Sequence, residues 1–170
     1  LYLIHAPNLN ISLKETMRAM EKLVEDGLVK FIGVSNFSVD EMEEARSHLS
    51  KNDLVVNQVE YSLLERSIEK DILPYCRENK ITVMAYTPLA KGKLSRNKFL
   101  EEIGRKYGKT SAQVALNWLI SKENVIAIPK AINQAHVEEN AGAMGWRLSK
   151  EDMESISSHF KLKCTKIVLC

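Results

Sequence analysis

The chain predicts an α/β fold on a parallel sheet, and two features of its 170 residues predict it. Five short apolar runs alternate with longer amphipathic stretches. Those runs are rich in Val and Ile and almost uninterrupted by polar residues, as strands covered on both faces of a sheet are. Parallel neighbours need crossovers, and the intervening helical patterns supply them.

The strand runs are Leu1 to Ile4, Phe31 to Val34, Leu54 to Val59, Ile81 to Ala85 and Val125 to Ile128. Ser12-Leu13-Lys14-Glu15 has capping-box spacing and opens the first helix. Leu13, Met17, Met20 and Val24 then share one helix face, and Gly27 supplies a left-handed stop. Ser38 with Glu41 opens the second helix in the same way. A third is expected over about Ile68 to Asn79. Two more fall between Lys98 and Lys122, split by Gly108, with Thr110 or Ser111 as the second N-cap. A short helix is expected from Gln134 to Gly142, and Ser149 with Asp152 opens the last. The pattern fits either an open doubly wound sheet or part of a (β/α)8 barrel. No glycine-rich phosphate loop follows the first strand, which weighs against the open dinucleotide-binding sheet.

Composition narrows the function. The chain is 45% hydrophobic and 27% charged, within the range of ordinary globular domains. A net charge of +2, with Lys and Arg scattered, gives no footprint for nucleic acid or a membrane surface. No apolar run is long enough to span a bilayer. Cys76, Cys164 and Cys170 have no metal-ligand spacing, so no metal is expected. They suit a reducing compartment, and a cytoplasmic location is expected.

In either closure the chemistry gathers at the C-terminal ends of the strands. Every run ends in hydrogen-bonding side chains there. They are His5; Ser35 and Asn36; Asn57, Gln58 and Glu60; Tyr86 and Thr87; and Lys130. One polar strand end is commonplace, whereas five on one rim point to a ligand. Ser35, Asn36 and Gln58 offer paired donors and acceptors that suit a planar carboxamide such as nicotinamide. Tyr86 offers a ring for stacking. Lys130 offers a cation just before a short helix whose first amides also attract anions. A nicotinamide dinucleotide with an extra phosphate meets all three conditions.

These segments resemble the aldo-keto reductase family, in its chain order. They are Leu1-Tyr2-Leu3-Ile4-His5, Gly33-Val34-Ser35-Asn36-Phe37, Asn57-Gln58-Val59-Glu60-Tyr61, Ala85-Tyr86-Thr87-Pro88-Leu89 and Ile128-Pro129-Lys130. Gln113 to Trp118 and His136 to Asn140 carry the likeness further, so that it covers about residues 1 to 158. The resemblance implies a partial (β/α)8 TIM barrel, the last five strands with their helices. Residues 1–160 would form that portion, and 161–170 a tail of unassigned structure.

The resemblance also implies NADP(H) as cofactor and hydride transfer to an aldehyde or ketone. His5 then corresponds to the active-site His that orients the carbonyl. Ser35, Asn36 and Gln58 correspond to the carboxamide ligands, and Tyr86 to the ring that stacks on nicotinamide. Thr87 and Leu89 correspond to the pyrophosphate path, Lys130 to the Lys on the 2′-phosphate, and Glu139 and Asn140 to the adenine contacts. His136 stands where the family often has an Arg on that phosphate, and Ala131 where Ser is frequent. Ala6 stands where a Trp commonly packs on the substrate. The family's proton-donating Tyr, with its Asp and Lys, matches no residue of this chain and is expected upstream of Leu1.

A small carbonyl compound is the expected substrate. Either a partner chain or a missing N-terminal segment is expected to cover the open sheet edges. The alternative reading is a truncated barrel that binds cofactor or a partner without catalysis. Other residues have plain structural readings. His48 and His159 are expected on solvated helix faces, Trp118 and Trp146 in packing, and Cys76 in the core. Glu60 is expected to make a structural hydrogen bond.

Overall fold

A computed structural model describes residues 1–8 and 10–161. The chain divides into two compact units. The first comprises residues 1–60, 67–86 and 122–128; the second takes residues 61–66, 87–121 and the chain from Pro129 onward.

The first unit holds a five-stranded, wholly parallel sheet in the order β1-β2-β3-β4-β5. The strands are β1 (Tyr2–Ile4), β2 (Ile32–Ser35), β3 (Leu54–Glu60), β4 (Thr82–Tyr86) and β5 (Val125–Ala127). All five predicted runs form strands. Their ends differ by a residue or so, because ladder pairing rather than hydropathy ends a strand. Ser35, Glu60 and Tyr86 thus join their strands, while Leu1, Phe31, Ile81 and Ile128 fall outside.

Three helices cross between the strands: α1 (Leu13–Glu25), α2 (Val39–Ser47) and α3 (Ile72–Glu78). Val34, Asn57, Val83 and Val125 are register partners and share one face, with each side chain 6% exposed or less. Asn57 Nδ2 on this face donates to Phe37 O at 2.9 Å and lies 3.3 Å from Met42 Sδ. Among the described residues its Oδ1 is a buried acceptor with no hydrogen bond. Cys76 is buried near Met42, and desolvation pushes its thiol up to about 12, so it is an inert core residue as expected. At Gly33 an added Cβ would sit 2.6 Å from Val56 O and 2.7 Å from Leu3 Cδ2, so β1, β2 and β3 close up only around a glycine.

The caps follow the sequence with two corrections. Ser38 and Glu41 form the full capping box. Ser12 accepts from Glu15 N, but only this half of the expected box forms. The stretch from Ile68 to Asn79 is not one helix. A 3₁₀ turn (Ser67–Glu69) precedes α3, and Asp71 breaks the run by capping Ile72 N. Asp competes with the helical backbone in this way, which is why it favours an N-cap over a helix interior. Arg46 of α2 ties the layer together, bonding Asp53 through two nitrogens at 2.8 Å and reaching Tyr75 and Asn79. His48 is a C-cap on α2 and half-buried rather than on a solvated face.

The second unit is helical: α4 (Lys98–Tyr107), α5 (Ser111–Ile120), α6 (Gln134–Ala141) and α7 (Lys150–His159). An unanticipated left-handed turn with bonds between residues three apart covers Ala90–Gly92. Thr110 caps α5 with a capping box, and Gly108 ends α4 in a left-handed conformation. Nearly all of α5 is buried. Its Trp118 is fully buried, donates to Ser157 Oγ at 3.0 Å and lies under the Arg66 guanidinium. Asn117 bonds Ala143 O, Trp146 O and Leu148 N, so one buried amide fixes the α6–α7 connection. Trp146 packs on Tyr107. Both tryptophans are therefore packing residues. His159 is exposed but stacks on Phe99, with ring centroids 3.8 Å apart, and so is not simply solvated. The tail expected over 161–170, with Cys164 and Cys170, lies outside the described residues except for Lys161. No described helix is long and apolar enough to cross a membrane.

Candidate cofactor site

Because all five strands run parallel, their C-terminal ends share one rim. In the first unit His5 follows β1 directly, Ser35 closes β2, and Tyr86 closes β4. Gln58 of β3 is the register partner of both Ser35 and Met84, so these three side chains stand in one row. Asn36 then turns the chain with φ 61°, and Thr87 follows β4 with φ 53°. Asn tolerates this left-handed region, whereas for a β-branched Thr it is an outlier. Such outliers cluster where a loop is held in a functional shape.

Hydrogen bonds join these residues. Asn36 N donates to Gln58 O at 2.8 Å, and Ser35 Oγ donates to the same carbonyl at 2.8 Å. Asn36 Nδ2 donates to Ser35 Oγ at 3.0 Å and to His5 O at 3.3 Å. Tyr86 OH donates to Asn36 Oδ1 at 3.0 Å. Among the described residues, Gln58 Nε2 meets Met84 Sδ at 3.2 Å, a weak acceptor. Ser35 is 5% exposed, while the His5 and Asn36 side chains are exposed. Glu60, also at the rim, is exposed, and its carboxylate has no hydrogen bond among the described residues, contrary to the expected structural bond.

The remaining candidates belong to the second unit. Lys130 is exposed between β5 and α6. Asn133 caps α6 by accepting from His136 N at 2.9 Å. His136 is exposed in the first turn of α6, and Glu139 and Asn140 are half-buried farther along. Gln113 Nε2 holds α6 against α5 through Glu139 O at 3.0 Å, leaving the Glu139 carboxylate out of that bond. Thr87 and Leu89 open a separate loop, in which Ala90, Lys91 and Gly92 are three successive left-handed residues.

His5, Ser35, Asn36, Gln58 and Tyr86 are thus brought together in the first unit. Lys130, His136, Glu139 and Asn140 share one loop and helix in the second. Sequence reasoning missed the tie between Tyr86 and Asn36, which lie 50 residues apart. It also missed the left-handed backbone at Asn36. An Asn directly after a β-branched strand is a turn signal that could have revealed that backbone.

Residues 1–161 match the Aldo/keto reductase family model, and the chain belongs to that family. It is 40% identical over 158 residues to the glyoxal reductase of Bacillus subtilis, covering 93% of this chain and 55% of that protein. A thermostable aldo-keto reductase, Tm1743, solved with the inhibitor epalrestat, superposes with a TM-score of 0.87 at 44% identity. That match covers 92% of this chain and 58% of the other. An aldo/keto reductase from Klebsiella pneumoniae, solved with NADP and acetate, gives a TM-score of 0.83 at 36% identity, over 94% of this chain and 58% of that one. The chain spans about half the length of the curated relatives it matches.

Proposed function

We propose that the chain is the cofactor-binding portion of an NADP-dependent reductase of aldehydes or ketones. Residues 1–160 would be the last five strands and helices of a (β/α)8 barrel. The observation that carries this reading is the bonded cluster of His5, Ser35, Asn36, Gln58 and Tyr86 at one rim. Its chemistry fits the group: amide and hydroxyl for a carboxamide, with an aromatic ring beside them. Solved family members hold NADP or NADPH.

In this reading Ser35, Asn36 and Gln58 bind the carboxamide, and Tyr86 stacks on the nicotinamide ring. Thr87 and Leu89 line the pyrophosphate. Lys130, with His136, meets the 2′-phosphate, and Glu139 and Asn140 meet the adenine. NADPH supplies the hydride when bound, and the protein supplies orientation and electrostatics. His5 orients the substrate carbonyl. The proton donor of the family, a Tyr assisted by Asp and Lys, matches no residue among the 170. On this reading the 170 residues supply the cofactor contacts and not the proton donor.

The charge on Lys130 provides the test. Lys130→Ala should weaken NADPH about tenfold, the scale of one charge-assisted contact. NADH binding should barely change. An equal loss for both cofactors would remove Lys130 from the 2′-phosphate.

A further inference from the structure

We propose that the Tyr86 hydroxyl is a positioning group that locks the Asn36 amide in one of its two flip states. This rests on the cofactor reading above and assigns the phenol a role separate from ring stacking. The polarity of the network follows from one atom. His5 O is a carbonyl and can only accept, so the Asn36 group facing it at 3.3 Å must be the NH₂. The second N–H of that NH₂ goes to Ser35 Oγ at 3.0 Å. Ser35 Oγ can accept it because its own proton is given to Gln58 O. Oδ1 is then turned toward β4, where it accepts from Tyr86 OH at 3.0 Å. The amide is held at both ends: by β1 and β2 through its nitrogen, and by β4 through its oxygen.

Removing the phenol frees one end. A flipped amide would set Oδ1 against His5 O and Ser35 Oγ, and an unanchored one would rotate. Either way the atoms offered to a carboxamide are no longer pre-set, and binding must order them. Asn36 is exposed, so neighbouring side chains do not hold the amide by packing alone.

The experiment is a double-mutant cycle on the full chain with Tyr86→Phe, Asn36→Ala and the pair. Three readouts are taken: NADPH affinity, 2′,5′-ADP affinity, and the Asn36 side-chain NH₂ signals by ¹⁵N NMR without cofactor. Tyr86→Phe keeps the ring, so NADPH should bind about threefold to tenfold more weakly, the worth of one neutral hydrogen bond. Binding of 2′,5′-ADP should not change, and the Asn36 signals should move. In the Asn36→Ala background Tyr86→Phe should have no further effect on NADPH. Three outcomes overturn the proposal. They are wild-type NADPH affinity with unmoved Asn36 signals in Tyr86→Phe, equal losses for NADPH and 2′,5′-ADP, or additive effects in the double variant. Wild-type chain that binds no NADPH overturns the cofactor reading instead, and the NMR readout still decides the Tyr86–Asn36 bond.

Discussion

Single residues far from the rim hold the first unit together, and Glu21 is the clearest case. It lies on α1 at 7% exposure. Its carboxylate accepts from the backbone N–H groups of Ser50, Lys51 and Asn52, at 2.8 to 3.2 Å, and from Ser50 Oγ. These donors, Lys51 N–H foremost, lower its pKa from 4.5 to about 2. Glu21→Ala leaves three backbone donors without their acceptor and should cost about 2–3 kcal/mol at pH 7. A depressed carboxylate pKa stabilises the fold above the unfolded value and stops doing so as the group protonates. The gap between wild type and variant, read from urea unfolding, should hold at pH 7 and shrink as pH falls from about 4.5 to about 2. A gap independent of pH would show that the charge is not what the loop recognises. None of this was legible in the sequence, where Glu21 is one acidic residue in a helix. Its partners are backbone atoms about thirty positions away. The rim residues were legible because each ends an apolar run, where a polar side chain needs a reason.

Elements show the same division between local and distant causes. Helices α1 and α3 end in the same motif. In α1, Leu28 N bonds Leu23 O and Gly27 N bonds Val24 O, with Gly27 at φ 71°. In α3, Ile81 N bonds Cys76 O and Lys80 N bonds Arg77 O, but the left-handed residue is Lys80, at φ 58°. This is the Schellman pattern, which favours glycine at that position. Lys80→Gly should therefore stabilise the chain by up to about 1 kcal/mol, less what the added unfolded-state entropy removes. Thermal unfolding checks it, and a lower midpoint would mean that the Lys80 side chain contributes more than the backbone relief. Gly27 was readable as a stop because the sequence uses the preferred residue. The left-handed Lys80 was not, since its sequence carries no such sign. The strands were readable because their runs are unbroken, but cover on both faces is not seen: the helix side is buried, while on the other face Gln58 and Met84 are half-buried and Ile126 is exposed. The break before α3 was not readable, because Ile68, Ile72 and Cys76 keep helical spacing across Asp71.

At the scale of the whole molecule, family membership and the order of the rim residues agree. The five segments that carry the family likeness follow the five strands in sequence order: four include the ends of β1 to β4, and Ile128-Pro129-Lys130 directly follows β5. The sheet divides its work as such sheets do: one face packs against helices, and the strand ends present hydrogen-bonding groups. The chemistry proposed for the chain is correspondingly partial, with residues proposed for the cofactor contacts and none matching the family's proton donor. The most direct measurement is a titration of the 170-residue chain with NADPH, followed by cofactor and Trp fluorescence, alongside an assay for carbonyl reduction. The account predicts saturable binding, weaker for NADH, with no turnover above the uncatalysed rate. Absence of saturable binding by the folded chain would contradict it.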